Sequence, residues 1–205
     1  MKKLLIETNY HPKITLVEGF GGQTTTGNLF VEVVLTTIEK LNGNGRYYSR
    51  ELWDREIEKF NKRIQAETTE TCGELDHPDS QIINLKNVSH AIRKVWWNGD
   101  NIVGLMEIFC DEGLKGTSSG RIAGAILRNG LKMGVSSRGM GSIEEVGEVQ
   151  EVQDDFELLT WDLVSNPSNA NSWTKTQLNE NKIPKISRIN QIITEILCSN
   201  GQCPL

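Results

Sequence analysis

Two strand-like segments joined by a tight turn constrain the fold of this chain more than any other feature of its sequence. Residues 87–97 and 102–110 are rich in β-branched, aromatic and other apolar side chains, which favour extended backbone. The residues between them, Asn98-Gly-Asp-Asn101, include asparagine and glycine, which tolerate the positive φ angles of hairpin turns. The two segments are therefore predicted to form an antiparallel hairpin.

Three further segments favour strands. Residues 28–41 are rich in β-branched side chains and stop at the turn sequence Asn42-Gly-Asn-Gly45. Residues 131–137 and 156–164 are short and largely apolar, and the second of them follows an acidic stretch at 144–155. The chain is therefore predicted to be rich in strands.

Two amphipathic helices are predicted between these strands. Ser49 is suited to cap a helix over 50–67, whose apolar residues recur every three or four positions. A second helix is predicted over 117–128, where Asn129-Gly130 suits a left-handed cap. The fold class is therefore α+β, with helices inserted between strands. The apolar stripe of the first helix consists of Trp53, Ile57, Phe60 and Ile64.

Composition and charge are those of an average globular chain with one core. The 205 residues carry 22 Lys and Arg against 27 Asp and Glu, a net charge of −5. No apolar stretch approaches the roughly 20 residues that cross a bilayer, and the apolar run at the start meets Glu7 too early for a secretory signal. No basic stripe with interleaved aromatic residues is present, so neither a membrane nor nucleic acid is expected as a partner.

The character of the chain changes around Pro167. Residues 166–172 are turn-forming, and the residues after them are polar apart from a short amphipathic segment at 186–197. We expect one folded domain over residues 1–172 and a C-terminal extension over 173–205 that is flexible and open to cleavage.

Cysteine and histidine are both scarce. Four cysteines are too few for a disulfide scaffold and are expected to stay reduced in a cytosol-like compartment. Cys198 and Cys203 have no second ligand pair near them, so neither a metal nor a cofactor is expected. The three histidines are His11, His77 and His90.

Three residues carry side chains suited to nucleophilic catalysis, and each also has an ordinary explanation. His77 is restricted to extended backbone by Pro78, yet histidines are common in surface loops. Ser136 ends an apolar strand and leads into a glycine-rich segment whose amides suit an oxyanion, yet Ser/Gly turns are commoner than nucleophiles. Asp162 lies among apolar residues and needs a partner if buried, yet strand alternation also fits a solvent-facing carboxylate. Together they supply the base, nucleophile and orienting carboxylate of a catalytic triad.

Four motifs within about residues 30–173 carry a family resemblance. In order and spacing they resemble the prohead core protein proteases of T-even-like tailed phages. The resemblance implies a serine endopeptidase inside the immature phage head, in the host cytoplasm. It would cleave scaffold, internal and capsid proteins and would self-associate in the prohead core. The motifs are Asn44-Gly-Arg-Tyr-Tyr48, Gly73-Glu-Leu-Asp-His-Pro78, Val95-Trp-Trp-Asn-Gly-Asp100 and Gly134-Val-Ser-Ser-Arg-Gly-Met-Gly-Ser142.

The resemblance also implies a fold and two catalytic roles. The fold would be a β-barrel-like strand core surrounded by helices, similar to the herpesvirus assembly proteases. The base would be His77. The nucleophile would be Ser136, with Ser137 as the fallback.

Further roles are less closely matched by the motifs. The third catalytic residue is a second histidine in the herpesvirus enzymes, whereas the corresponding strand here offers Asp162, with Glu74 and His90 as backups. Backbone amides around Arg138 and Gly139 would stabilise the oxyanion. The side chain of Arg138, or of a neighbouring basic residue, would attract an acidic substrate side chain.

The family's preference for Glu at P1, with Leu or Ile at P3, implies cleavage sites within the chain itself. Two Leu/Ile-x-Glu segments of the extension end at Glu180 and Glu195, so self-cleavage is expected after both residues. Three others end at Glu7, Glu107 and Glu145. Of these, Glu107 is expected to be protected in a strand, whereas Glu145 fits a loop.

Two other functions compete with this prediction. A non-enzymatic scaffold or core component with the same fold would share the strands, but it would not need both His77 and Ser136 in register. A cysteine hydrolase would use Cys72. Five residues from His77 in one loop is an awkward separation for a nucleophile and its base, and no helix N-terminus is evident to lower the Cys72 pKa. The serine protease is therefore favoured.

Overall fold

The structure is a computed structural model that describes residues 2–9, 14–17, 27–38, 41–42 and 44–165. Within these ranges the chain forms eleven strands, two α-helices and one 3-10 helix. The strands are β1 (Lys3–Asn9), β2 (Ile14–Val17), β3 (Leu29–Thr37), β4 (Arg46–Tyr47), β5 (Cys72–Glu74), β6 (Val88–Asn98), β7 (Asn101–Ile108), β8 (Gly134–Gly141), β9 (Ile143–Val146), β10 (Val149–Val152) and β11 (Glu157–Val164). The helices are α1 (Arg50–Gln65), α2 (Ser118–Arg128) and the 3-10 helix Thr69–Thr71.

The strands form three sheets rather than a closed barrel. A five-stranded sheet has the order β2-β3-β7-β6-β5, and two three-stranded sheets have the orders β1-β8-β11 and β4-β10-β9. One isolated bridge, between Leu75 and Leu163, connects the segment after β5 with β11. A single bridge does not continue the ladder that a barrel requires. The α+β class with a strand-rich core is confirmed, whereas the expected barrel-like closure is wrong for the described residues.

The hairpin and both helices form where the sequence predicts them. β6 and β7 pair antiparallel, and Gly99 takes a φ of +61° in the turn between them. Ser49 caps α1 by accepting a hydrogen bond from Leu52 N at 3.1 Å. Thr117 caps α2 in the same way through Gly120 N at 2.9 Å. These caps satisfy backbone N–H groups that a helix otherwise leaves unpaired.

Aromatic side chains connect α1 with the sheet β1-β8-β11. Trp53, Ile57 and Phe60 on one face of α1 are buried. Trp161 of β11 packs against Trp53 with ring centroids 6.3 Å apart and against Phe60 at 5.0 Å. Burial of such a side chain contributes roughly 1.5–3 kcal/mol. Because side chains alternate along a strand, this packing holds β11 by one face and leaves Asp162 on the other.

Besides β2, β4 and β5, two longer regions form strands that the sequence does not predict. The acidic stretch contains the β9–β10 hairpin, so Glu145 lies in a strand and not in a loop. β1 pairs antiparallel with β8, and the buried carboxylate of Glu7 accepts hydrogen bonds from Asn44, Arg46 and Tyr48 at 2.7–2.8 Å. Burial and the Glu7 charge raise the pKa of Tyr48, which keeps its phenol a donor. These three residues of one family motif therefore connect β1 to the segment that contains β4.

No helix in the described part of the chain is long and apolar enough to cross a membrane. The expected domain boundary near residue 172, the extension after it, and the expected cleavage sites Glu180 and Glu195 all lie outside the described residues.

Candidate active site

The backbone around His77 is fixed against the end of β11. Asp76 donates its N–H to the carbonyl of Leu163 at 2.7 Å, and its carboxylate accepts from N and Oγ of Ser165 at 3.3 and 3.1 Å. Asp76 takes a φ of +62°, a left-handed conformation that aspartate tolerates better than most residues. With Pro78 restricting the residue before it, the loop presents the His77 ring in a defined direction.

The His77 ring pairs with the carboxylate of Asp162. Nδ1 of His77 lies 3.1 Å from Oδ2 of Asp162; the His77 side chain is 17% exposed and Asp162 is fully buried. Beside an ionised carboxylate Nδ1 carries the proton, so the lone pair of the neutral ring is on Nε2. Nε2 is buried and has no hydrogen-bond partner among the described residues. The ring therefore has the tautomer and the vacant acceptor of a general base.

Asp162 is bound by two residues besides His77. The backbone N–H of Glu74 donates to Oδ1 at 2.9 Å. Arg138 donates from Nη2 to Oδ1 at 3.2 Å, and its Nε lies 3.0 Å from Oδ2. A buried carboxylate needs such partners, because an unpaired buried charge is costly. Asp162 is therefore held from both of its oxygens.

Ser136 projects to the same face of the sheet as Asp162. The two residues are directly opposite each other in the antiparallel β8–β11 register, and opposite residues of such a pair share a face. Ser137 is opposite Trp161 and projects to the core face. Both serines are buried, and Ser136 shares the face of Asp162, the residue that contacts His77. Within the described ranges Nε2 of His77 has no hydrogen bond to Ser136, a bond that in many enzymes forms only with substrate bound.

The glycine-rich segment after the serines is a strand and not a loop. β8 continues to Gly141 between β1 and β11, so the expectation that Ser136 ends its strand is wrong. Arg138 and Gly139 have register partners on both neighbouring strands, and the amides of a central strand point toward those neighbours. Gly139 is required for packing, because an added Cβ would lie 2.5 Å from the Phe156 ring. The oxyanion role of Arg138 and Gly139 stays a prediction that this geometry does not support.

The guanidinium of Arg138 is enclosed. It is fully buried, and besides binding Asp162 it donates to Oε1 of Glu74 at 2.8 Å and to the carbonyl of Ser80 at 3.0 Å. In this position the guanidinium is closed off from solvent. The expected attraction of an acidic substrate side chain by Arg138 or a neighbouring basic residue stays a prediction. One sequence signal could have indicated this burial. Arg138 is a charged residue two positions after Ser136 in a segment of otherwise small or apolar residues, so in a strand the two side chains lie on the same face.

His90 is buried near the site, in a different state from His77. Its Nε2 lies 3.0 Å from the carbonyl oxygen of Trp161 and its Nδ1 lies 2.9 Å from Oγ of Ser89. Burial lowers the pKa of His90 to about 4, against the opposing influence of the Asp162 charge and the Trp161 carbonyl. Both ring nitrogens already have hydrogen-bond partners. His90 is therefore a neutral histidine with no nitrogen available to orient the His77 ring as a third catalytic residue.

The alternative nucleophile Cys72 lacks the environment of a reactive thiol. It lies partly buried in β5, and burial raises its pKa, an effect that the charge of Arg93 only partly offsets. A raised pKa disfavours the thiolate that a cysteine nucleophile requires. Within the described residues, no group of three or more His, Cys, Asp or Glu side chains is arranged to hold a metal ion.

A His–Asp pair on the same side of a sheet as a serine is compatible with a serine hydrolase, a class that occurs on unrelated folds. Family membership narrows this class. Residues 11–182 match the family described as prohead core protein serine protease, and the chain belongs to that family.

Two known proteins are similar to the chain. The prohead core protein protease of Enterobacteria phage T4 is 28% identical over 180 residues, which are 83% of this chain and 82% of the relative. The solved structure of the bacteriophage T4 capsid assembly protease, gp21, matches with a TM-score of 0.70 at 25% identity, covering 81% of this chain and 99% of the other. The resemblance based on four motifs is thus confirmed. The further likeness to herpesvirus assembly proteases stays a prediction.

Proposed function

We propose that the protein is a serine endopeptidase of phage head maturation, with Ser136 as nucleophile, His77 as general base and Asp162 as orienting carboxylate. One observation carries this proposal: Nδ1 of His77 is 3.1 Å from Oδ2 of Asp162, on the face of the sheet to which Ser136 projects. The family description as serine proteases supports the same nucleophile type.

Each residue has one task in the reaction. Nε2 of His77 takes the hydroxyl proton of Ser136 as the serine oxygen attacks the scissile carbonyl carbon, and it then gives that proton to the leaving amine as the C–N bond breaks. Asp162 stays ionised, holds the Nδ1–H tautomer and stabilises the imidazolium. Water then attacks the acyl-enzyme while His77 takes up its proton and returns it to Ser136, which regenerates the serine hydroxyl.

Proteins of the immature head are the substrates we propose. The T4 relatives are described as a prohead core protein protease and a capsid assembly protease. These descriptions support scaffold, internal and capsid proteins as substrates, with cleavage inside the prohead in the host cytoplasm and self-association in its core. The family resemblance adds a preference for Glu at P1 and Leu or Ile at P3.

The same specificity predicts that the protein trims its own C-terminal extension. Cleavage is expected after Glu180 and Glu195, whereas Glu7 and Glu107 lie in β1 and β7, where pairing protects the backbone. Mass spectrometry of purified active protein should find new C-termini at the first two positions and none at the other two. An intact C-terminus in a preparation that cleaves a Leu-x-Glu peptide would contradict this prediction.

Separate replacement of the two adjacent serines tests the catalytic assignment. Ser136→Ala should lower kcat/KM on a Leu-x-Glu peptide by at least about 10³-fold, because the nucleophile is lost. Ser137→Ala is the matched control on the core face and should retain most of the activity. Undiminished activity of Ser136→Ala would refute the assignment. Wild-type protein that cleaves neither peptides nor prohead proteins would instead favour a non-enzymatic scaffold.

A further inference from the structure

Glu74 has no task in this mechanism, although it is as deeply buried as Asp162. Its Oε1 accepts a hydrogen bond from Nη2 of Arg138 at 2.8 Å and one from the backbone of Asn84 at 3.0 Å. Arg138 in turn contacts both oxygens of Asp162, at 3.2 and 3.0 Å. Glu74, Arg138 and Asp162 each have 0% exposed surface. We call these three residues the buried charge cluster.

The buried charge cluster has a surplus negative charge. Two carboxylates and one guanidinium give −1 − 1 + 1 = −1. A surplus charge in a protein interior is unfavourable unless another group makes use of it. Arg138 and Asp162 alone would form a neutral pair, so Glu74 is not required to compensate Asp162. The surplus charge is one contact away from His77, through Asp162.

The other charged and titratable groups around His77 do not cancel this surplus. His90, from β6, is neutral because burial lowers its pKa to about 4. Asp76, beside His77 on the same loop, is itself an acid, and its carboxylate is bound by Ser165. Within the described ranges the cation paired with the carboxylates of the cluster is Arg138, which the sum already includes. The negative charge therefore remains next to the imidazole.

We propose that Glu74 and Arg138 are positioning residues of the active site, which fix Asp162 and leave one uncompensated negative charge beside His77. This inference rests on the proposed function. Arg138 donates one hydrogen bond to Oδ1 of Asp162 and places Nε in ion-pair contact with Oδ2, two nitrogens that a guanidinium carries and a lysine does not. Glu74 neutralises Arg138, so the charge of Asp162 is available to the imidazolium that forms when His77 accepts the serine proton.

The pH dependence of kcat/KM tests for this charge. Its acidic limb reports protonation of the base in the free enzyme, and a negative charge beside His77 favours that protonation. Glu74→Gln keeps the size of the side chain and its acceptor for Arg138 but brings the cluster to neutrality. The imidazolium is then less stabilised, so the limb should move to lower pH by roughly half a unit to one unit, and the plateau should fall. The double variant Glu74→Gln/Arg138→Gln restores the surplus charge and should return the limb to its wild-type position, with a lower plateau.

Glu56 offers a matched control. It is another buried glutamate, ion-paired with Arg55 and Lys59 and accepting a hydrogen bond from Leu158 N at 2.9 Å, and these partners lie outside the buried charge cluster. Glu56→Gln should lower the melting temperature and leave the acidic limb in place. A merely structural role of Glu74 predicts that same result for Glu74→Gln.

A second measurement separates this inference from the proposed function. The titration of the His77 ring, followed by NMR in full-length Ser136→Ala protein, does not depend on activity. Adding Glu74→Gln should lower its midpoint by the same amount as the limb. An unmoved midpoint, an unmoved limb, or a double variant that keeps the shifted limb would overturn the inference. Full activity of Ser136→Ala alone would overturn the proposed nucleophile and leave the electrostatic inference about His77 standing.

Discussion

His77 and His90 both lie near the carboxylate of Asp162, but they differ in how many of their ring nitrogens have hydrogen-bond partners. His77 is partly exposed, binds Asp162 through Nδ1 and leaves Nε2 without a partner among the described residues. His90 is fully buried, and its two nitrogens contact Ser89 and the carbonyl of Trp161. What distinguishes the two rings is a vacant hydrogen-bonding nitrogen rather than nearness to a carboxylate.

This difference teaches what a general base requires of the fold. A ring with both nitrogens engaged has to break a hydrogen bond before it takes up a proton, and burial of His90 adds the cost of charging it. His77 avoids both restrictions, but a buried polar atom without a partner destabilises the folded state by about 1–3 kcal/mol. Unsatisfied atoms of this kind are expected where a substrate or reacting group completes the site.

The largest predicted effect concerns activity. His77→Gln should lower kcat/KM by about 10⁴-fold or more, because the proton acceptor is lost. Its free energy of unfolding should change by less than about 1 kcal/mol, since one nitrogen of the native ring is unpaired. Peptide kinetics and urea unfolding on the same samples measure both quantities.

His90→Gln is the matched control for that prediction. It should lower stability, because the contacts with Ser89 and Trp161 are disturbed, while activity per folded molecule stays within about tenfold of wild type, or about 1.4 kcal/mol in the barrier. A folded His90→Gln protein as inactive as His77→Gln would break the comparison and return His90 to the catalytic site.

Local sequence signals were sufficient for much of the fold. The turn glycine at 99 and the caps Ser49 and Thr117 act over a few residues, so the hairpin and both helices are predictable from short windows. The triad candidates came from residue chemistry and from family motifs. Once β8 is known to be a strand, alternation places Ser136 and Ser137 on opposite faces. The pairing of Ser136 with Asp162 then identifies which face carries the site.

The parts of the fold and of the site that were not predicted depend on residues far apart along the chain. A segment of glycine and serine has weak strand propensity, so β8 is defined by its pairing with β1 and β11 and not by its own sequence. Glu74 is 64 residues from Arg138, and His90 is 71 residues from Trp161. No local pattern shows which histidine keeps a vacant nitrogen or which arginine is enclosed between carboxylates.

The smallest predicted effect is the contribution of His90 to the decrease in the free energy of unfolding at acidic pH. Burial lowers its pKa from 6.5 to about 4 in the folded protein. As the pH falls below 6.5 the unfolded chain binds a proton that the folded protein excludes until about pH 4, so stability is full above 6.5 and declines across this window. The decline amounts to about 3 kcal/mol.

Urea unfolding of wild type and His90→Gln from about pH 7.5 to about pH 4 measures this decline. Carboxylates titrate in both proteins, so their contribution cancels in the difference between them. The stability advantage of wild type should therefore shrink by up to about 3 kcal/mol toward the acidic end. Parallel curves for wild type and His90→Gln would show that His90 is not a buried neutral ring, and the contrast between the two histidines would lose its physical basis.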